Sequence, residues 1–233
     1  MSVTLILASA SPRRRELIRQ LGLPVEFVAS HADESVPPHL APADIVETLS
    51  LRKASAVCVH PGAAGQRGIV VGSDTIVVLD GEVLGKPRDE KEAFAMLASL
   101  RGRTHRVYTG LACIRRDGEN GGTAGKAEGR FATMPMGDIG RYRVISGAPD
   151  GEPEIIVGHT VSEVTFGPMS DEEIRAYVES GEPMDKAGAY GVQGIGAVFI
   201  EKIKGDYFSI MGLPLNLLYR MLKEFGVHPF RPA

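Results

Sequence analysis

Cysteine is scarce in this chain of 233 residues, which holds only Cys58 and Cys113. They stand far apart and form no C-x-x-C pair, which argues against a disulfide scaffold and leads to the expectation of reduced, buried thiols. The six histidines are scattered, and the absence of an H-E-x-x-H pattern argues against a zinc site. No apolar run reaches the roughly 18 residues of a membrane helix. Leu5 to Ala10 has the look of a short signal-peptide core, but its positive charges follow the apolar run, the wrong polarity for secretion. The expectation is a cytoplasmic protein with no membrane partner. Excess positive charge is missing too: the net charge is −3 and the pI 6.1. Aromatics are few and not interleaved with basic residues, so a nucleic-acid binder is disfavoured.

What remains is ordinary globular composition, 43% hydrophobic and 24% charged. A chain of this length buries roughly 70–75% of its unfolded surface and needs no metal or crosslink to fold. The expected organisation is one domain, 1–233, with two lobes.

Val3 to Ala8 reads as a buried strand. Ser11 is a plausible N-cap with Pro12 at the first helical position, and the helix continues from Arg13 to Leu21. A second strand covers Val25 to Ala29, and a proline-rich loop follows from His31 to Pro42. A helix is expected from Ala43 to Val59, then a strand from Gly68 to Leu79 whose apolar run is interrupted at Gly72-Ser73-Asp74-Thr75. After the Gly85-Lys86-Pro87 turn come a helix from Asp89 to Leu100 and long strands at Thr104–Arg116 and Thr160–Phe166. The stretch 117–158 between them is glycine-rich with weak periodicity, and is read as a partly flexible insertion at a hairpin tip. Ser170-Asp171-Glu172-Glu173 forms a capping box that opens a helix ending near Gly181. A glycine-rich loop (Asp185–Gly194), a strand (Ala197–Ile203) and a closing helix (Pro214–Phe225) complete the chain. Irregular alternation of helices and strands indicates a mixed α/β sheet flanked by helices.

Chemistry concentrates in a few places. Arg13-Arg14-Arg15 stands in the first turn of a helix, where the dipole disfavours cations and favours an anion. A solvated basic patch is one reading. A bound polyanion, most simply phosphate, is the other, and the strand–turn–helix setting favours it. Asp74, embedded among β-branched residues, is either an acid at a strand end or a general base or metal ligand. Lys53, Lys86 and Glu34 carry little weight one at a time. Together with Arg13, Arg14 and Asp74 they supply cations for a polyphosphate, carboxylates for Mg²⁺ and a base for water. The glycine-rich segment Glu182–Gly194 is either a tight structural loop or a ligand cradle, with the Gln193 amide offering a donor and an acceptor.

Leu7-Ala8-Ser9-Ala10-Ser11-Pro12-Arg13-Arg14-x-Glu16-Leu17 resembles the opening signature of the Maf family of nucleoside triphosphate pyrophosphatases. Similar segments recur in family order: Asp33-Glu34, Lys53-Ala54, Ser73 to Val77, Gly85-Lys86-Pro87, Thr109-Gly110, Glu182 to Gly194 and Gly205 to Pro214. The Asp185-to-Gly194 loop is similar to the branch that acts on dTTP and UTP. The resemblance implies an α/β fold like that of inosine triphosphate pyrophosphatase, with a sheet that splits around a deep cleft, and it leaves room for a homodimer. It implies Asp74 as proton acceptor, and Arg13, Thr75 and Gln193 as determinants of base choice. Arg14, Lys53 and Lys86 would hold phosphates, and Glu34 with Asp74 a divalent cation, Mg²⁺ or Mn²⁺. Arg15 matches no family position and is expected to be solvated. Ser73 stands where alanine is common. The implied reaction is hydrolysis of a nucleoside triphosphate to monophosphate and pyrophosphate, modified pyrimidines included. The alternative is a nucleotide-binding regulator of septum formation.

Overall fold

The chain runs β1 (Leu5–Leu7), α1 (Pro12–Arg19), β2 (Val25–Phe27), α2 (Pro42–Cys58), β3 (Arg67–Leu79), β4 (Glu82–Leu84) and α3 (Glu90–Leu100). It continues with β5 (Thr104–Asp117), β6 (Thr133–Pro135), β7 (Gly140–Gly147), β8 (Pro153–Phe166), α4 (Asp171–Glu179), β9 (Ile200–Lys204), α5 (Tyr207–Ile210) and α6 (Leu215–Glu224). This computed structural model describes residues 3–59, 67–117, 133–148 and 153–230. Its strands form one mixed sheet in the order β2-β1-β3-β5-β8-β7-β6, with β4 added to β3 and β9 to β8. β1 pairs in parallel with β2 and β3, and the other pairings are antiparallel.

Local signals explain most boundaries. Ser11 caps α1 by accepting the Arg14 N–H, with Pro12 at the first turn. Asp89 caps α3, and Ser170 with Glu173 forms the expected capping box on α4. The structure sharpens the reading of three segments. The polar interruption in β3 does not break it: β3 pairs with β5 residue by residue from Arg67 to Val78, so Asp74 is mid-strand and not at an end. The stretch read as a hairpin-tip insertion contains β6, β7 and the start of β8, and β7 and β8 pair along much of their length. Residues 118–132 and 149–152 of that stretch lie outside the described residues. The strand expected at Ala197–Ile203 begins only at Ile200, after a 3-10 turn over Ile195–Phe199.

Side chains alternate across the sheet, and each face is filled by different helices. α2 covers one face, packing Ala54 and Val57 on Val70, Ala112 and Val157, and Val46 and Leu49 on Ile76 and Val78. On the other face α6 buries Leu217, Leu218, Met221 and Leu222 against Leu7, Val71, Leu111 and Cys113. Further along that face, α3 and α4 pack Leu97, Leu100, Ile174 and Tyr177 on Val77, Val107 and Phe166. The last two apolar clusters are separated by a polar row, Thr75–Thr109–Thr160, in register across β3, β5 and β8. Both cysteines are free, and burial pushes the Cys58 thiol up to about 11, which keeps it protonated and inert at neutral pH. No helix among the described residues is long and apolar enough to cross a membrane.

The sheet forks at β3. One edge of this strand is held by β1 through Ile69–Val71 and then by β4 through Val77–Leu79, while β5 runs unbroken along the other. Between the two partners the edge of β3 around Asp74 opens into a cleft. Neighbouring residues that point to opposite faces, Asp74 and Thr75, therefore line the same cavity.

Candidate active site

The cleft has a volume of about 710 Å³ and is lined by Arg13, Arg14, Glu34, Lys53, Asp74, Thr75 and Lys86 among others. Seven of the eight site residues expected from sequence thus meet in one cavity, Gln193 being the exception. Gln193 is exposed and off the cleft wall, although its neighbours Gly191 and Val192 line it.

Two glycines set the height of α2 above the sheet. A Cβ on Gly72 would meet the Ser50 carbonyl oxygen at 2.1 Å, and one on Gly110 would meet that of Val46 at 2.1 Å. The helix backbone thus rests directly on β3 and β5, which carries Lys53 to Asp74. Lys53 Nζ lies 2.6 Å from Asp74 Oδ1 and 2.7 Å from Glu34 Oε1. Asp74 Oδ2 has no hydrogen-bond partner among the described residues. The loop bearing Glu34 is shaped by Asp33, whose carboxylate accepts the Ser35 N–H at 2.9 Å and hydroxyl at 2.6 Å. Arg52, beside Lys53 on α2, donates to the Ser35 carbonyl and so ties that loop to the helix. The hydrogen bond from Lys53 draws the Glu34 carboxyl below its ordinary pKa against the opposing effect of burial, with Lys86 and Arg14 adding to the pull.

Arg14 is aimed from the opposite face. Its Nε donates to the Gly212 carbonyl at 2.7 Å and its Nη2 to Thr75 Oγ1 at 3.1 Å. Thr109 donates its own proton to the Ser209 carbonyl at 2.7 Å, so the Thr75 hydroxyl donates to Thr109 Oγ1, 3.0 Å away. Thr75 is thereby engaged in orienting Arg14. Burial pulls the Arg14 guanidinium below its usual pKa, Asp74 opposes this, and it stays charged at neutral pH. Ser73 is fully buried, with its hydroxyl 2.8 Å from the Gly212 carbonyl and 2.9 Å from that of Gly110. The Ser73 hydroxyl thus links β3 to the closing motif. Arg15 corrects the expectation of a solvated side chain: its Nε donates to the Ser9 carbonyl at 3.4 Å, and its guanidinium lies 5.3 Å from the Phe27 ring centroid.

The glycine-rich segment forms the far wall. Glu182 holds it by accepting the N–H groups of Ile195 at 2.9 Å and Gly196 at 3.1 Å, and the Tyr177 hydroxyl at 2.9 Å. The Gly85 carbonyl accepts the Gly188 N–H at 3.0 Å and ties this wall to the Lys86 turn. Sequence reasoning named Lys186 only as part of the loop, yet it lines the cleft, with Nζ 2.6 Å from Asp185 Oδ1. Its position directly behind an acid in a glycine-rich wall was the available signal. Arg13 Nη1 lies 3.9 Å from Asp185 Oδ2 at the mouth of the cleft, a loose and partly exposed pair.

The result is a cavity rich in cations, with two carboxylates converging on one positive charge. Among the described residues no group of three or more His, Cys, Asp and Glu side chains could hold a metal. Glu34 and Asp74 nonetheless fit Mg²⁺ or Mn²⁺, because such a cation takes one or two carboxylates and completes its shell with phosphate oxygens and water.

The family model described as Maf-like protein matches residues 4–149 and 143–225. A dTTP/UTP pyrophosphatase from Symbiobacterium thermophilum is 46% identical over 223 residues, covering 95% of this chain and 94% of the relative. Proteins of the same name from Bacillus cereus strain AH820 and from Bacillus anthracis are each 40% identical over 223 residues, covering 96% of both chains.

Proposed function

This chain belongs to the Maf-like family, and we propose that it hydrolyses nucleoside triphosphates, dTTP and UTP in particular, to the monophosphate and pyrophosphate. The observation that carries the reading is the convergence of Lys53, Asp74 and Glu34 in a cleft that also receives Arg13, Arg14, Lys86 and Lys186.

The triphosphate lies along the cations, with Arg14, Lys53 and Lys86 holding its phosphate oxygens and offsetting the charge that develops on the leaving pyrophosphate. Asp74 accepts a proton from the water that attacks the α-phosphorus, and the bond to the bridging oxygen of the pyrophosphate breaks. The Thr75–Thr109 chain keeps Arg14 oriented, so less motion is needed when substrate arrives. Glu34 and Asp74 would hold a divalent cation, which supplies further positive charge to the phosphate oxygens. Arg13, paired loosely with Asp185, would meet the nucleoside end, and Gln193, exposed beside the cleft, would move inward to read a pyrimidine O4 and N3. Cytoplasmic localisation and a homodimer belong to the same proposal, the latter to be read by light scattering.

The deciding experiment incubates the purified chain with each common and pyrimidine-modified triphosphate plus Mg²⁺ or Mn²⁺ and identifies products by chromatography. Monophosphate and pyrophosphate from dTTP and UTP are expected. Release of nucleoside diphosphate and orthophosphate, or of nothing, sinks the reading.

A further inference from the structure

We propose that Glu47 is a positioning residue of the cleft: through its buried pairing with His159 it sets where α2 lies on the sheet, and thereby where Lys53 meets Asp74 and Glu34. The inference rests on the function proposed above.

Three residues in one cross-strand row carry the argument. Asp74 on β3 is opposite Gly110 on β5, and Gly110 is opposite His159 on β8. Side chains in such a row share a face, here the face under α2. The helix touches all three positions of this row. Glu47 Oε1 is 2.7 Å from His159 Nδ1 at one end, the helix backbone at Val46 rests on Gly110 in the middle, and Lys53 meets Asp74 at the other end. Glu47 is 4% exposed, and its second carboxylate oxygen lies 2.6 Å from Arg143 Nη1 on β7.

Packing does not call for this carboxylate. α2 already buries Ile45, Val46, Leu49, Ala54 and Val57, and an apolar residue at position 47 would avoid the cost of burying a charge. Apolar contact is non-directional and fixes lateral position only where side chains interlock. The crossing is weak in this respect: at Gly72 and Gly110 the sheet offers no side chain to interlock with the helix. Directional ionic contacts at the two ends supply the missing register. The Lys53 end must yield when that ammonium turns to a phosphate, which leaves the Glu47–His159 end as the fixed one. Neither Glu47 nor His159 lines the catalytic cleft.

The test compares dTTP turnover and melting temperature of the full chain in four forms: wild type, Glu47→Gln, Lys53→Met and the double variant. The amide introduced by Glu47→Gln would still offer His159 a hydrogen-bond partner, so the fold of this variant is expected to persist. Its kcat should fall about tenfold, the scale of a small misplacement of a catalytic group. In the Lys53→Met background the same change should alter kcat by less than about twofold. A role in stability alone would lower the melting temperature without this dependence on Lys53. An equal fold-loss in both backgrounds, or no loss in either, overturns the proposal. Should Glu47→Gln not fold, Arg143→Met, at the partly exposed partner, is put through the same cycle under the same criteria. A wild type that turns over no triphosphate would sink the functional reading and leave this one open to a direct probe. The ¹⁵N NMR signal of the ion-paired Lys53 ammonium should be present in the wild type and lost or shifted in Glu47→Gln, and an unchanged signal would overturn the proposal.

Discussion

The Gly212 carbonyl accepts the Arg14 Nε–H at 2.7 Å, and Gly212 holds this place with φ at +105°. Only 3.1 Å would separate a Cβ here from Arg14 Nε, so a side chain would strain the left-handed backbone and push on the guanidinium. The closing Gly205–Pro214 motif and the opening Ser-Pro-Arg-Arg motif are therefore two halves of one device that aims a guanidinium into the cleft. Gly212→Ala is expected to cost about 1–3 kcal/mol of stability from backbone strain. Its kcat/KM should fall more than that loss explains. Thermal melts beside steady-state kinetics check this, and a wild-type kcat/KM would refute it.

Asp74→Asn should leave the melting curve nearly unchanged and cut kcat by about 10²–10⁴, the range for loss of a general base. Asparagine keeps an oxygen for Lys53 and cannot take a proton at neutral pH. Turnover near that of the wild type would remove Asp74 from the base role.

Gly110→Ala tests the close crossing of α2. Its Cβ would meet the Val46 carbonyl carbon at 2.3 Å and the Glu47 nitrogen at 2.9 Å, so the helix must lift. Overpacking of this kind costs about 1–3 kcal/mol or more. The lift also draws Lys53 from Asp74, so activity should fall with stability. A variant as stable and active as the wild type would show that α2 does not rest on β5 in this way.

His105 gives a pH dependence of stability. Burial lowers its pKa from the ordinary 6.5 to about 4. Between these values only the unfolded chain takes up the proton, so stability is full above pH 6.5 and declines as pH falls towards 4. The loss attributable to this group is up to about 3 kcal/mol. Urea titrations across that range should show a shallower decline for His105→Gln than for the wild type. Identical slopes would exclude the effect.

Gln193→Glu should lower use of dTTP and UTP relative to purine triphosphates, because a carboxylate offers no N–H to a pyrimidine O4. An unchanged ratio in a substrate panel would leave base choice to residues already in the cleft.

Much of this site was legible in the residues. Ser11-Pro12 announces a helix start, and a helix that opens with arginines and no acid announces an anion. Gly72, where the apolar run of β3 is interrupted, was harder to read. Gly72 sits in a continuous strand because α2 needs the space, and that requirement arises from a helix about twenty residues upstream. β4 was not anticipated, since three residues at the edge of a turn carry no period. Arg15 differs from expectation because it found partners inside the protein, Phe27 and the Ser9 carbonyl, and the hydrogen bonds of Thr75 to Arg14 and Thr109 were equally invisible in the sequence.

By itself the sequence determined most of the elements and the inventory of charges, because caps, turns and periodicity act over a few residues. Tertiary structure alone decided which of those charges meet. Asp74 and Thr75 are adjacent in the chain and point to opposite faces of a strand, yet both reach one cavity because β1 releases β3 after Val71 and β4 takes it up at Val77. That fork follows from where two distant segments pair. Lys53 reaches Asp74 for a similar reason: two glycines on separate strands let a helix lie against the sheet. Pairing and close approach are long-range properties, and no local pattern around Asp74 or Lys53 encodes them.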